Sequence, residues 1–216
     1  YKLVLLYHLL IMQYNNNIFS LFHTPSGFVD NPHMKGYTFI IRNKGMEGIE
    51  MRILLINGSP KGKRSNSLKL AYSFIKGLEN GCTSNKEELS VDELHIASMN
   101  IGACKGCFAC WQKTPGRCCI NDDMQTVIKK LIRADLILWS FPLYYFNVPG
   151  MLKNLIDRQL PMSLPFMSSR QDGYGSGSHD ARYDMEGKRH VLISTCGFYS
   201  ANENYDSVLR MFDHFL

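Results

Sequence analysis

Apolar and polar positions fall into a regular alternation only from residue 51 onward. Arg52-Ile53-Leu54-Leu55-Ile56 is a short apolar run ending on the turn signal Asn57-Gly58, which predicts a strand buried on both faces. A helical period follows. Leu68, Ala71, Tyr72, Ile75 and Leu78 share one face, Ser65 or Asn66 can cap the start, and Gly81 can close the end. Residues 89–96 read as a second, more polar strand. Asp122-Asp123 opens a helix with Met124, Val127, Ile128, Leu131 and Ile132 on one side, where the helix dipole favours both carboxylates. Residues 136–139 form a third strand, and Pro149 suits the first turn of a helix that buries Leu152, Leu155 and Ile156. Residues 191–194 form a fourth strand, and the last helix carries Tyr205, Val208, Leu209, Phe212 and Phe215.

Strands that alternate with helices and read as continuous apolar runs predict a parallel sheet covered on both faces. Such sheets bind ligands at the carboxyl ends of the strands, near the switch point. Three loops leave that edge, after Ile56, Trp139 and Ser194. Residues 159–189, with Gly173, Gly175 and Gly177, carry little period and read as a lid or mobile excursion.

Residues 1–50 show no sustained period. Their apolar run at 3–12 is about half a membrane-spanning helix, and no small-residue cleavage site follows it. This segment is expected to lie outside the working domain. It is either sequence translated upstream of a true start at Met51 or a mobile extension, with at most a strand at 37–42.

A net charge of +5 on 216 residues is mild, and its one dense knot, Lys61, Lys63 and Arg64, suits a small anion rather than a nucleic acid. Neither nucleic acid nor membrane is expected as a partner. The seven cysteines are an odd number, and five fall between 104 and 119. That pattern points to metal or redox chemistry in a reducing compartment, the cytoplasm, rather than to a disulfide framework.

The loop from Gly58 to Ser67 joins a strand to a helix N-terminus, a natural anion site. Ser59, Ser65, Asn66 and Ser67 add side-chain donors, and Lys61 and Arg64 add charge. Gly58 and Gly62 enclose three residues where a Walker loop needs four, and Arg64 follows Lys63 where that loop needs Ser or Thr. The dinucleotide fingerprint is also absent. A phosphate monoester held without magnesium remains, against the alternative of a capped helix with a solvated loop.

Ile56-Asn57-Gly58-Ser59-Pro60 followed by Ser65-Asn66-Ser67 resembles the phosphate loop of flavodoxin-like NAD(P)H-dependent FMN reductases. The resemblance runs on through Cys104-Lys105-Gly106-Cys107-Phe108-Ala109-Cys110-Trp111, Asp122-Asp123-Met124, Ser140-Phe141-Pro142-Leu143-Tyr144 and Leu155-Ile156-Asp157-Arg158. It implies a flavodoxin-like doubly wound sheet over residues 51–216. That fold has five strands and this sequence offers four, so the domain is expected to lack its last strand. It also implies FMN, with the phosphate on Ser59, Lys61, Ser65, Asn66 and Ser67. Pro142, Leu143, Tyr144, Tyr145 and Phe146 would border the ring, approached on another side by Thr195, Cys196 and Gly197. Three adjacent aromatics cannot all face one core, so at least one of Tyr144, Tyr145 and Phe146 is expected to face a ligand or partner.

Cys104, Cys107 and Cys110 stand at CxxCxxC spacing, and Cys118 and Cys119 follow. Three such thiols can wrap one face of a cubane that a fourth completes. The pattern resembles the iron–sulfur flavoprotein branch, which implies Cys104, Cys107, Cys110 and Cys118 as ligands of a 4Fe–4S cluster. Structural zinc, a metal-free thiol set and plain packing are the alternatives. His179 and His190 flank the excursion and can meet substrate or be solvated, and Asp157-Arg158 reads as a helix-end ion pair. The resulting expectation is an FMN-dependent oxidoreductase carrying electrons from NAD(P)H to a quinone, another small acceptor or a protein, as a homo-oligomer. Its chemistry lies on the flavin, with no protein acid or base. The rival is an iron–sulfur electron carrier with no small-molecule substrate.

Overall fold

The computed structural model of the chain describes residues 7–13, 17–23, 50–85, 88–169, 177–198 and 203–216. Four parallel strands form the centre of the sheet: β3 (Glu50–Asn57), β4 (Glu88–His95), β5 (Leu136–Pro142) and β8 (Arg189–Thr195). They lie in the order β4-β3-β5-β8. The direction of winding reverses between β3 and β5, so the loops after these two strands flank the switch point.

Alternation along each central strand feeds two cores. Ile53 and Leu55 of β3, Leu136 and Leu138 of β5, and Val191 and Ile193 of β8 pack beneath α1 (Asn66–Asn85) through Leu68, Ala71 and Ile75. Leu54, Ile56, Ile137, Trp139, Phe141 and Leu192 point the other way. They meet Val127 and Leu131 of α3 (Met124–Arg133), Leu152 and Leu155 of α4 (Gly150–Asp157), and Val208 and Phe212 of α5 (Asp206–Phe215). Each fully buried side chain of this kind stabilises the fold by roughly 1.5–3 kcal/mol, which is why the strands read as continuous apolar runs.

Several elements depart from the sequence reading. Helix α1 does not close at Gly81 but runs to Asn85, because Cys82 extends the buried stripe and a Cβ at Gly81 would meet nothing. Tyr72 is not on the buried face; it is exposed and donates its hydroxyl to Glu93 at 2.9 Å. The excursion 159–189 contains a hairpin of β6 (Ser163–Ser168) and β7 (Ser178–Ala181), with Ser168 opposite Ser178. Residues 170–176 of that excursion, with Gly173 and Gly175, lie outside the described residues.

Residues 1–50, which the lack of period sets outside the domain, contribute two strands to the sheet. β1 (Tyr7–Gln13) runs antiparallel along β8, with Tyr7 opposite Thr195 and Leu10 opposite Leu192, and β2 (Asn17–His23) pairs outside it. A parallel edge strand carries a row of unpaired amides and carbonyls, and β1 satisfies that row on β8. Among the described residues β1, not a fifth parallel strand, borders β8. The strand anticipated at 37–42 lies outside the described residues.

Candidate functional site

The loop after β3 is organised from beneath by Asn57, which is fully buried. Its Nδ2 donates to the Gly62 carbonyl at 2.9 Å and meets His95 Nδ1 at 3.1 Å, while its Oδ1 accepts from the Ser59 amide at 3.2 Å. Gly58 donates to the Ser140 carbonyl at 2.8 Å, tying the loop to β5 across the switch point. Ser65 caps α1, its Oγ accepting from the Leu68 amide at 3.4 Å and lying 2.7 Å from Ser67 Oγ. The Asn66 and Ser67 amides belong to the first turn, where a helix has no acceptor of its own. Ser59, Ser65 and Ser67 are buried, whereas Lys61 and Arg64 stand exposed at the rim. Ser140 alternates with Leu136 and Leu138 on the α1 face, and its buried Oγ has no hydrogen-bond partner among the described residues. Residues 58–67 contain no carboxylate. Buried hydroxyls, free first-turn amides and rim cations suit a phosphate.

The loop after β5 makes a tight turn. Tyr144 and Asn147 exchange backbone hydrogen bonds of 2.8 and 2.9 Å, and Tyr145 and Phe146 between them adopt φ of 46° and 61°. A turn with both central residues left-handed favours Asn-Gly, so two aromatics there store strain, a recurrent mark of ligand-facing loops. Neither enters a core: Tyr145 is 99% exposed, and Phe146 stacks on Phe198 with ring centroids 5.4 Å apart. Tyr144 is also exposed, while Pro142 is half-buried and Leu143 buried. Leu143 donates to the Thr195 carbonyl at 2.8 Å, so the β5 and β8 loops leave the sheet together. Thr195 and Cys196 are buried and Gly197 is exposed. The structure thus brings the three sequence-predicted loops to one edge.

The cysteine loop, which contains the short helix α2 (Ala109–Gln112), lies beside the C-terminal end of α4. Cys104, Cys107, Cys110, Cys118 and Cys119 all line one shallow, open concavity that Arg158 also borders. Cys107 and Cys119 bring their sulfurs to 3.6 Å. The Ala109 amide and the Cys119 thiol hold Cys107 below the usual thiol range. Burial, then the neighbouring Cys118, push Cys110 above it. Gly106 and Phe108, on either side of Cys107, are left-handed, with φ of 61° and 51°, the kind of backbone from which anion-binding turns are built. Among the described residues no three acidic, His or Cys groups converge as ligands of one metal ion.

Three residues that the sequence reading misjudged or missed hold this loop. Arg158 pairs not with its neighbour Asp157, which binds Lys153 at 2.6 Å, but with Asp122. Its Nη1 and Nη2 reach the two Asp122 oxygens at 2.7 and 2.8 Å, and Nη1 also donates to the Gly102 carbonyl at 2.8 Å. Burial pushes the Asp122 carboxyl up, but Arg158 and the Gly102 and Met124 amides hold it below its usual range. Trp111 donates Nε1 to the Leu160 and Ser163 carbonyls, at 3.2 and 3.0 Å, docking the excursion on the cysteine loop. The acceptors are backbone atoms, which leave no sequence signal.

Neither histidine meets the predicted flavin loops. His190 is a satisfied core residue, its Nδ1 accepting from Trp139 Nε1 at 3.2 Å, and burial drives its pKa to about 4. His179 is exposed on β7 against the Trp111 ring, with centroids 4.8 Å apart.

A family model described as a flavodoxin-like fold matches residues 51–216. An iron–sulfur flavoprotein of Archaeoglobus fulgidus is 35% identical over 111 residues, covering 51% of this chain and 46% of the relative. An FMN-dependent NADH:quinone oxidoreductase of Pseudomonas syringae pv. tomato is 36% identical over 119 residues, covering 50% and 53%. The chain thus spans about half the length of the curated relatives it matches. Among solved structures, an FMN-dependent NADH-azoreductase of Bacillus anthracis in complex with FMN superposes with a TM-score of 0.52 at 18% identity. That match covers 76% of this chain and 82% of the other, a likeness of fold.

Proposed function

The chain belongs to the flavodoxin-like fold family, and from that premise we propose that it is an FMN-dependent oxidoreductase. It would take electrons from NAD(P)H and pass them to a quinone, another small acceptor or a protein. The observation that carries this reading is the loop at 58–67, where buried seryl hydroxyls and first-turn amides gather at the switch point with no carboxylate among them. These residues fit FMN. Ser59, Ser65, Asn66 and Ser67 would hold its phosphate, with Lys61 at the rim. Pro142 to Phe146 would border the ring, and Thr195, Cys196 and Gly197 would line its other side. Bound FMN would supply the hydride and electron transfer. The protein's part is then to bind and orient: the hydroxyls and amides fix one end of the ligand, and the strained aromatic turn borders the other.

A second reading, an iron–sulfur electron carrier, is favoured by the cysteine concavity. An all-thiol donor set suits an iron–sulfur cluster, and the left-handed Gly106 and Phe108 and the buried Arg158 suit its negative charge. Cys104, Cys107, Cys110 and Cys118 would hold a 4Fe–4S cluster, which supplies one-electron transfer. We also place the working domain at residues 51–216, and the protein in the cytoplasm as a homo-oligomer. The seven free thiols accord with a reducing compartment. No helix among the described residues is long and apolar enough to cross a membrane.

Steady oxidation of NADH or NADPH with added FMN and quinone separates the readings. Turnover that needs FMN supports the oxidoreductase. No turnover, with the flavin still reduced by a low-potential one-electron donor, supports the carrier. A chain that binds no FMN overturns both.

A further inference from the structure

Of the side chains bordering the cysteine concavity, Arg158 is unlike the rest. It is charged yet only 1% exposed. Its two terminal nitrogens both bind Asp122, and Nη1 also binds the Gly102 carbonyl. Its Nε is also buried, and no described residue gives that N–H an acceptor. The guanidinium is a rigid planar fork, so turning its terminal nitrogens to Asp122 leaves the Nε–H on a separate edge. Cys118 borders the same concavity as this guanidinium; burial opposes the charged form, and Asp122 and then Cys118 favour it. A buried N–H without an acceptor is costly, and a thiolate sulfur would remove that cost.

The partner carboxylate adds direction. Asp122 accepts from the Gly102 and Met124 amides at 3.0 and 3.2 Å, so it is fixed on the side where the cysteine loop enters and leaves. Gly102 and Asp122 bracket the whole cysteine loop, and the arginine that caps the C-terminus of α4 grips both. The ion pair therefore ties the loop shut and leaves the guanidinium beside Cys118.

We propose that Arg158 is a positioning residue for an iron–sulfur cluster held by Cys104, Cys107, Cys110 and Cys118. Its Nε–H donates to the Cys118 sulfur and its charge raises the cluster's midpoint potential. This rests on the reading that the thiols take a cluster. Hydrogen bonds to ligand sulfurs and nearby charge are among the terms that set cluster potentials, and a cation beside an anionic cluster favours the reduced, more negative state.

The test uses the full chain purified anaerobically, read by iron and sulfide content and by an EPR-monitored redox titration. Three forms are compared with the unmodified protein: Asp122→Asn, the double variant Asp122→Asn with Arg158→Gln, and Arg158→Lys. The double variant leaves no lone buried charge and should keep iron. Its midpoint should fall by at least a tenfold change in the one-electron equilibrium, or about 59 mV. Asp122→Asn frees the cation from its counter-charge and should shift the midpoint the other way. Arg158→Lys keeps a charge without the Nε edge and should give a smaller fall, which covers failure of the double variant to fold. Opposite signs for Asp122→Asn and the Arg158 variants are the signature, since a merely structural role loosens the loop equally in all three. Iron-loaded variants with unchanged midpoints, or shifts of one sign throughout, overturn the role of Arg158 and leave the cluster standing. Unmodified protein without iron and sulfide overturns the cluster reading itself, and the role of Arg158 with it.

Discussion

Gly58 and Leu152 are in such close apposition that a Cβ on Gly58 would stand 2.6 Å from Leu152 Cδ2. The contact joins the start of the loop after β3 to the buried face of α4. Leu152 is fully buried and cannot turn away. The glycine thus serves packing, letting α4 seat beside the switch point.

Gly58→Ala should therefore act as overpacking and cost about 1–3 kcal/mol. Leu152→Ala alone leaves a cavity and should cost about 2–5 kcal/mol. In the double variant the contacts with Cδ2 and Cγ are gone and only the Cβ, at 3.0 Å, still crowds the new methyl, so its cost should be at least about 1 kcal/mol below the sum of the singles. Urea unfolding of the four forms checks this, and strict additivity would show that the contact is not what excludes a side chain.

The hydroxyls of Ser65 and Ser67 lie 2.7 Å apart and buried at the helix start. If they hold a phosphate, Ser65→Ala and Ser67→Ala should each weaken FMN about tenfold, or about 1.4 kcal/mol, and leave riboflavin unchanged. Flavin fluorescence titrations with both ligands give the ratio. Equal losses for both would point to general loosening, because Ser65→Ala also removes a helix cap worth about 1 kcal/mol.

Tyr145 is left-handed and exposed to solvent, so nothing on its own surface repays the strain. Tyr145→Gly should raise stability by roughly 0.5–1 kcal/mol. If the turn borders the flavin ring, the same change should weaken FMN or slow turnover. Thermal unfolding and flavin titration together test this trade, and a gain in stability with no functional loss would remove Tyr145 from the site.

How far the sequence carries depends on whether a signal is local. Three of the four parallel strands were legible because Ile53 to Ile56, Leu136 to Trp139 and Val191 to Ile193 are buried on both faces, which demands unbroken apolar runs. The Ser65 cap and the aromatic turn were legible for the same reason, each being settled within a few residues. Gly81 misled because a glycine on the exposed side of a helix costs too little to end it. The Arg158–Asp122 pair spans 36 positions, and adjacency made Asp157 the obvious but wrong partner. The hairpin at 163–181 is docked through backbone carbonyls, which leave no trace in the pattern of side chains.

Cys118 and Cys119 are neighbours with different surroundings. Cys118 is half-buried, acting on both Cys110 and Arg158, whereas Cys119 is exposed against Cys107. If the loop holds a four-iron cluster, Cys118→Ser should lose iron and sulfide after anaerobic purification, and Cys119→Ser should retain them. The reverse result would make Cys119 the fourth ligand and take the function from Cys118.

His190 makes stability depend on pH. Trp139 Nε1 donates to its Nδ1, so the folded state requires the neutral ring, and burial, with the nearby Lys188 charge adding to it, lowers the pKa from 6.5 to about 4. Above pH 6.5 the imidazole is neutral in both folded and unfolded chains and adds no pH dependence. As pH falls from 6.5 towards 4 the unfolded chain binds a proton that the folded chain refuses, so stability is lost. Below about 4 both states are protonated and the loss levels off. The lost term is about 3 kcal/mol. His190→Gln keeps an acceptor for Trp139 and does not titrate. Urea unfolding between pH 4 and 7 should therefore show the unmodified protein losing about 3 kcal/mol more than the variant. Parallel stability curves would mean that His190 takes up its proton without leaving the core.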